Sequence, residues 1–143
     1  MSSQVRPQPL IAVSDVEASS RWYQCILGCE SGHGGSTYER LEFNGELVMQ
    51  LHSFQSDHDH GSIGDPSDKP YGNGVLLWFE VSNFDETMAR VAAMRAEIVI
   101  PIRRNPADGN GGPNQWECWI RDPDGYVVVI ASAAGTADGN WRP

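Results

Sequence analysis

The chain has 143 residues, 40% of them hydrophobic, with a mean hydropathy of -0.40, enough to bury one ordinary core in a soluble globular protein. A formal net charge of -9 argues against a nucleic-acid partner, because the ten basic residues are scattered and Arg103-Arg104 is their sole adjacent pair. No apolar run approaches the ~20 residues of a spanning helix, so no membrane partner is expected; the polar opening before Leu10 does not read as a signal peptide, and three cysteines read as reduced thiols of a cytoplasmic protein.

In chain order, a short apolar run ends at Ser14-Asp15, where the aspartate side chain can accept from the exposed backbone N–H groups that open a helix. Val16, Tyr23, Ile26 and Leu27 recur at helical spacing, and Gly28 supplies a residue that tolerates the left-handed stop. Gly32-His33-Gly34-Gly35 lacks dinucleotide-fingerprint spacing and reads as a flexible connection. Asn44-Gly45 marks a tight turn into the strand Val48–Ser53, rich in apolar residues. A long polar connection over residues 53–74 carries Asp57-His58-Asp59-His60.

The pattern then recurs. A strand-like run ends at Ser82-Asn83, and Phe84, Met88 and Val91 form a second helical stripe. A second polar, Gly-rich connection covers residues 103–115. Asp122-Pro123-Asp124-Gly125 turns into the strand Val127–Ser132, and the tail over residues 133–143 is irregular, with Trp141 placed to tuck against a partner subunit. Agreement at both ends of each half points to an internal duplication, each copy reading strand, helix, meander of strands. This predicts an α+β fold, with one module over about residues 8–53, a connection over about 54–74, and a second module over about 75–132.

Two segments carry a resemblance. Val13-Ser14-Asp15-Val16-Glu17-Ala18-Ser19-Ser20-Arg21-Trp22-Tyr23-Gln24-Cys25-Ile26-Leu27-Gly28 resembles the opening of the vicinal oxygen chelate (glyoxalase/bleomycin-resistance/dioxygenase) family, and Trp119-Ile120-Arg121-Asp122-Pro123-Asp124-Gly125-Tyr126 its closing turn. The resemblance covers roughly residues 8–132. It implies two tandem βαβββ modules whose curled mixed sheets form a cleft, helices on the outer faces, the whole chain (1–143) as one domain, and a homodimer. In metal-using members one divalent ion sits in that cleft. The corresponding positions here are Gln8, Gln50, Leu76 and Val129, of which Leu76 and Val129 offer no lone pair, so no metal or other cofactor is expected.

Strand alternation places Leu76, Trp78 and Glu80 on one face with Val127 and Val129, opposite Val48, Gln50 and His52. The family's habit adds Glu117 and Trp119. The expected small-molecule site is therefore Gln50, His52, Trp78, Glu80, Glu117 and Trp119: apolar aromatic walls with a few polar groups, suited to a flat or cationic ligand such as an antibiotic. An alternative is a lyase or isomerase acting on a small carbonyl compound, either metal-free, with His52 moving a proton beside Glu80 or Glu117, or using a relocated metal on His52, His58 and His60.

Overall fold

The computed structural model describes residues 2–55 and 60–138, and the chain divides into two compact units between Asp68 and Lys69. In the first unit, strand β1 (Leu10–Val13) leads into helix α1 (Val16–Leu27), followed by β2 (Glu30–Ser31), β3 (Tyr38–Phe43) and β4 (Glu46–Ser53). The second unit repeats this plan with β5 (Leu76–Glu80), α2 (Phe84–Ala93), β6 (Glu97–Asn105), β7 (Gln115–Arg121) and β8 (Val127–Ala131). The two sheets have equivalent orders, β1-β4-β3-β2 and β5-β8-β7-β6, with the first strand parallel to the last and the remaining neighbours antiparallel. The duplicated α+β architecture is as the sequence predicts. The division falls within the connection expected over 54–74.

Helix α1 starts where its cap chemistry dictates: the Asp15 carboxylate accepts from the Ala18 N–H at 3.0 Å. It stops at Gly28, which takes φ 70° and donates its N–H to the Gln24 carbonyl. In α2, Asn83 accepts from the Glu86 N–H at 3.1 Å, and its own amide N–H reaches back to the Glu86 carboxylate at 3.2 Å. The stripes expected from helical spacing, Val16, Tyr23, Ile26 and Leu27 in α1 and Phe84, Met88 and Val91 in α2, are all buried. Each such side chain contributes about 1.5–3 kcal/mol of transfer free energy. Asn44 and Gly45, with φ 50° and 79°, make the two-residue turn between β3 and β4, a backbone that matches the twist of paired strands.

Two expectations need correction. Residues 103–105 are not loop: Arg103, Arg104 and Asn105 extend β6 and pair with Glu117, Trp116 and Gln115. Gly32-His33-Gly34-Gly35 is not a slack link, because a buried carboxylate on β3, Glu39, ties it down. Its Oε1 accepts from the N–H groups of His33 (3.1 Å) and Gly34 (2.9 Å), and Oε2 from the hydroxyls of Ser20 on α1 (2.8 Å) and Ser31 on β2 (2.7 Å). The described start of the tail, Ala133 to Asp138, has no helix or strand; its Gly135 and Ala137 N–H groups donate to the carbonyls of Pro113 and Asn114, and Ala137 is buried. Trp141 lies outside the described residues.

Burial alone raises the Glu39 pKa, but the donors from Ser31, Gly34, Ser20 and His33 outweigh it and hold the carboxyl below the ordinary glutamate value of 4.5. A carboxylate with a depressed folded-state pKa adds stability that is complete above the unfolded value and is lost as pH falls through the folded one. Thermal melts should therefore fall as pH drops below about 4.5, and Glu39→Gln should flatten that acid limb while costing about 1–3 kcal/mol at pH 7. At the helix start, Asp15→Ala should cost about 1 kcal/mol in chemical denaturation, with Asp15→Ser close to the parent.

Candidate functional site

The site is built from alternation across each sheet. In the second unit, backbone register sets Trp78 beside Val129, Val129 beside Trp119, and Trp119 beside Ile100. The adjacent row runs Glu80, Ala131, Glu117, Arg103. Because side chains two apart share a face, both rows lie on one side of the sheet. Leu77, Val128, Ile130, Cys118 and Ile120, which alternate with them, are buried on the other side, as the helix-packing face requires. Trp78 remains 44% exposed, and Glu80 is exposed beside it.

Glu117 is fully buried, and a buried carboxylate is stable only when its charge is answered by donors. Arg103 donates Nε–H at 3.1 Å and Nη2–H at 2.9 Å to Oε1; the Trp119 indole N–H adds a third bond to Oε1 at 3.2 Å, and Asn105 donates its amide to Oε2 at 3.0 Å. The Arg103 guanidinium also lies over the Trp119 ring, 5.7 Å from its centroid. Among the site residues expected from sequence, Trp78, Glu80, Glu117 and Trp119 thus share one face. Glu117 is already committed to Arg103, Asn105 and Trp119. Sequence reading missed Arg103 and Asn105, because the Arg-Arg pair and the glycines after it look like the start of a loop. The signal that could have found them is the apolar run Ile98–Ile102 immediately upstream, long enough to carry a strand into the pair.

In the first unit, Leu10, Gln50 and Arg40 form one row and Ala12, His52 and Tyr38 the next. Tyr38, also missed from sequence, donates its hydroxyl to Gln50 Oε1 at 2.6 Å, and Gln50 Nε2 donates to the Gln8 carbonyl at 3.1 Å. His52 is buried with Nδ1 2.8 Å from the Ser53 carbonyl oxygen. A carbonyl only accepts, so Nδ1 is the donor of this bond. Tyr38 packs edge-on against His52 (6.4 Å between centroids) and His33 (5.1 Å), and His60 meets His52 at 5.0 Å. His58 lies outside the described residues, among which no group of three or more His, Cys, Asp or Glu side chains is arranged to hold a metal.

At the positions matching the family's metal ligands, Gln50 has its carbonyl occupied by Tyr38 and its amino group by Gln8. Leu76 and Val129 carry hydrocarbon only. The residues directly beside Gln50 and Val129 are Leu10 and Trp78, so a shift of register by two residues supplies no better donor. The thiols of Cys29 and Cys118 are pushed up to about 11 by burial, which keeps both protonated and unreactive at neutral pH, and all three cysteines are unpaired. No helix among the described residues is long and apolar enough to cross a membrane.

No curated protein matches the sequence. Among solved structures, a glyoxalase-related enzyme from Fulvimarina pelagi is similar at 19% identity, covering 91% of this chain and 88% of that one with a TM-score of 0.66. A lactoylglutathione lyase from Agrobacterium tumefaciens is similar at 15% identity over 91% and 94% of the two chains, TM-score 0.63. An integron cassette protein from the mobile metagenome of V. cholerae is similar at 18% identity over 92% and 97%, TM-score 0.65. At such identities the likeness is one of fold. The family model for the Glyoxalase/Bleomycin resistance protein/Dioxygenase superfamily matches residues 6–130. With the duplicated βαβββ units in place and the sequence matched across both, this chain belongs to the Glyoxalase/Bleomycin resistance protein/Dioxygenase superfamily.

Proposed function

We propose that this protein binds and sequesters a flat small molecule, such as an antibiotic, without a metal, on the tryptophan-bearing face of its second unit. The observation that carries this reading is the row Trp78, Val129, Trp119: two indoles flanking a small apolar residue on one sheet face, one of them 44% exposed. A planar ring laid against the exposed Trp78 indole gains burial and offset stacking, the latter about 0.5–1.5 kcal/mol per aromatic pair beyond area. The family's divalent-ion positions do not fit an ion: Leu76 and Val129 cannot coordinate, and both ends of the Gln50 amide are spoken for. No step of the proposed activity passes through a metal.

Naphthalene-2-carboxamide, a planar neutral probe, should quench the intrinsic tryptophan fluorescence saturably, and Trp78→Ala should weaken its binding by about tenfold. Prior treatment with EDTA should leave the titration unchanged. Binding that vanishes on chelation and returns with zinc would sink the metal-free reading.

A second reading, a lyase or isomerase acting on a small carbonyl compound, is favoured by one observation: the buried His52 ring is held with Nδ1 2.8 Å from the Ser53 carbonyl oxygen, and a second imidazole, His60, lies 5.0 Å from it. If a carbonyl substrate is turned over, His52→Ala should lower kcat by about a hundredfold or more, the ordinary contribution of a general base. Unchanged turnover would remove His52 from the chemistry.

A further inference from the structure

We infer that Arg103 makes this site selective for ligands bearing an anionic group, a carboxylate or a phosphate, on a planar apolar body. The inference rests on the binding reading above and adds the charge of the ligand to it. From sequence, the face carries two carboxylates and no cation, which favours a positive ligand. Folding changes that balance by adding a cation to the face and pairing one of the carboxylates. Glu117 is buried and spent on four hydrogen bonds, while Arg103, expected in a loop, is brought onto the same face by the extension of β6.

The guanidinium is held but not consumed. Nε–H and one Nη2–H converge on the single oxygen Oε1 of Glu117, so the Nη1 group and the second Nη2 proton make no bond to that carboxylate. These N–H groups form the fork that accepts a carboxylate or phosphate in two parallel bonds. The Arg103 side chain is 49% exposed although its partner is fully buried, so about half of it remains open to solvent. Glu117 also receives the Asn105 amide and the Trp119 indole N–H, so its oxygens are held by donors besides Arg103.

Trp119 lies under the guanidinium at 5.7 Å, so the cation site on that indole is filled by the protein itself and a cationic ligand would meet Arg103 there. Trp78, across Val129, remains for the planar body. Glu80 lies on the same face three strand spacings from Arg103, about 14 Å, and is exposed. That separation exceeds the ~8 Å screening length at physiological salt, so Glu80 does little to repel an anion docked at Arg103.

The test uses one ring with three charges: naphthalene-2-carboxylate, naphthalene-2-carboxamide and naphthalen-2-ylmethylammonium, titrated by calorimetry into the whole protein. The carboxylate should bind about tenfold tighter than the amide, with the ammonium weakest. Because Arg103→Met alone strands the buried Glu117 charge and threatens the fold, the informative variant is Arg103→Met with Glu117→Gln, its folding verified by thermal melting. This pair should bind all three probes alike. Equal binding of carboxylate and amide by the parent protein, or a preference that survives in the double variant, would overturn the anion inference while leaving planar binding standing. Failure of the parent to bind any of the three overturns the binding reading and the inference with it.

Discussion

Each half of this protein buries one carboxylate on the strand that lies third in its sheet, and the cost of burying that charge organises what surrounds it. In the first unit the charge is Glu39, answered by two serine hydroxyls and by backbone N–H groups at the bend between β2 and β3. In the second it is Glu117, answered by Arg103, Asn105 and Trp119. An ion moved out of water without such partners costs several kcal/mol, so the donors cannot be left to chance. The segments that carry them are drawn into definite positions.

The two carboxylates serve different sides of their sheets. Glu39 points toward α1, where Ser20 meets it, and so belongs to the packing of helix on sheet. Glu117 lies on the opposite kind of face, in one row with Glu80, Ala131 and Arg103. Register makes Tyr38 the counterpart of Glu117, Gln50 of Val129, His52 of Ala131 and Arg40 of Trp119. The shared architecture thus presents a hydrogen-bonded Tyr, Gln and His set in one unit and an indole and guanidinium set in the other. The elements common to both, capped helices over alternating strands, are what duplication preserves; the face of each sheet turned away from its helix is where the copies differ.

That difference bears on function. A family whose members can use a central ion needs donors at four equivalent positions, and this chain has hydrocarbon at Leu76 and Val129 and an amide engaged at both ends at Gln50. The proposed activity therefore draws on aromatic area and on one oriented guanidinium rather than on coordination. Arg103 owes its orientation to Glu117: a long flexible side chain on an edge strand ordinarily loses rotamer freedom when it grips a ligand, and here two hydrogen bonds to a fixed carboxylate have removed much of that freedom beforehand.

Much of the framework is legible in the residues alone. Asp15 and Asn83 as helix caps, Gly28 as a stop, Asn44-Gly45 as a hairpin, the buried stripes of both helices and the alternation that puts Trp78 with Val129 are all local consequences of spacing and backbone preference, and local preferences act within a few residues. The same reading misplaced Arg103 and Asn105 in a loop, treated the glycines after Gly32 as slack and credited Glu117 with a free charge. The strand extension had a local signal in Ile98–Ile102 and Glu39 is only a few residues from the glycines it ties, but the pairing of the buried charges depends on partners farther along the chain: Glu117 reaches back to Arg103 and Asn105, and Glu39 reaches back to Ser20. The sequence by itself determined the duplicated architecture and which side chains share a face. Only the tertiary structure decided which charges on that face were already paired, since a buried ion selects its partners by distance in space.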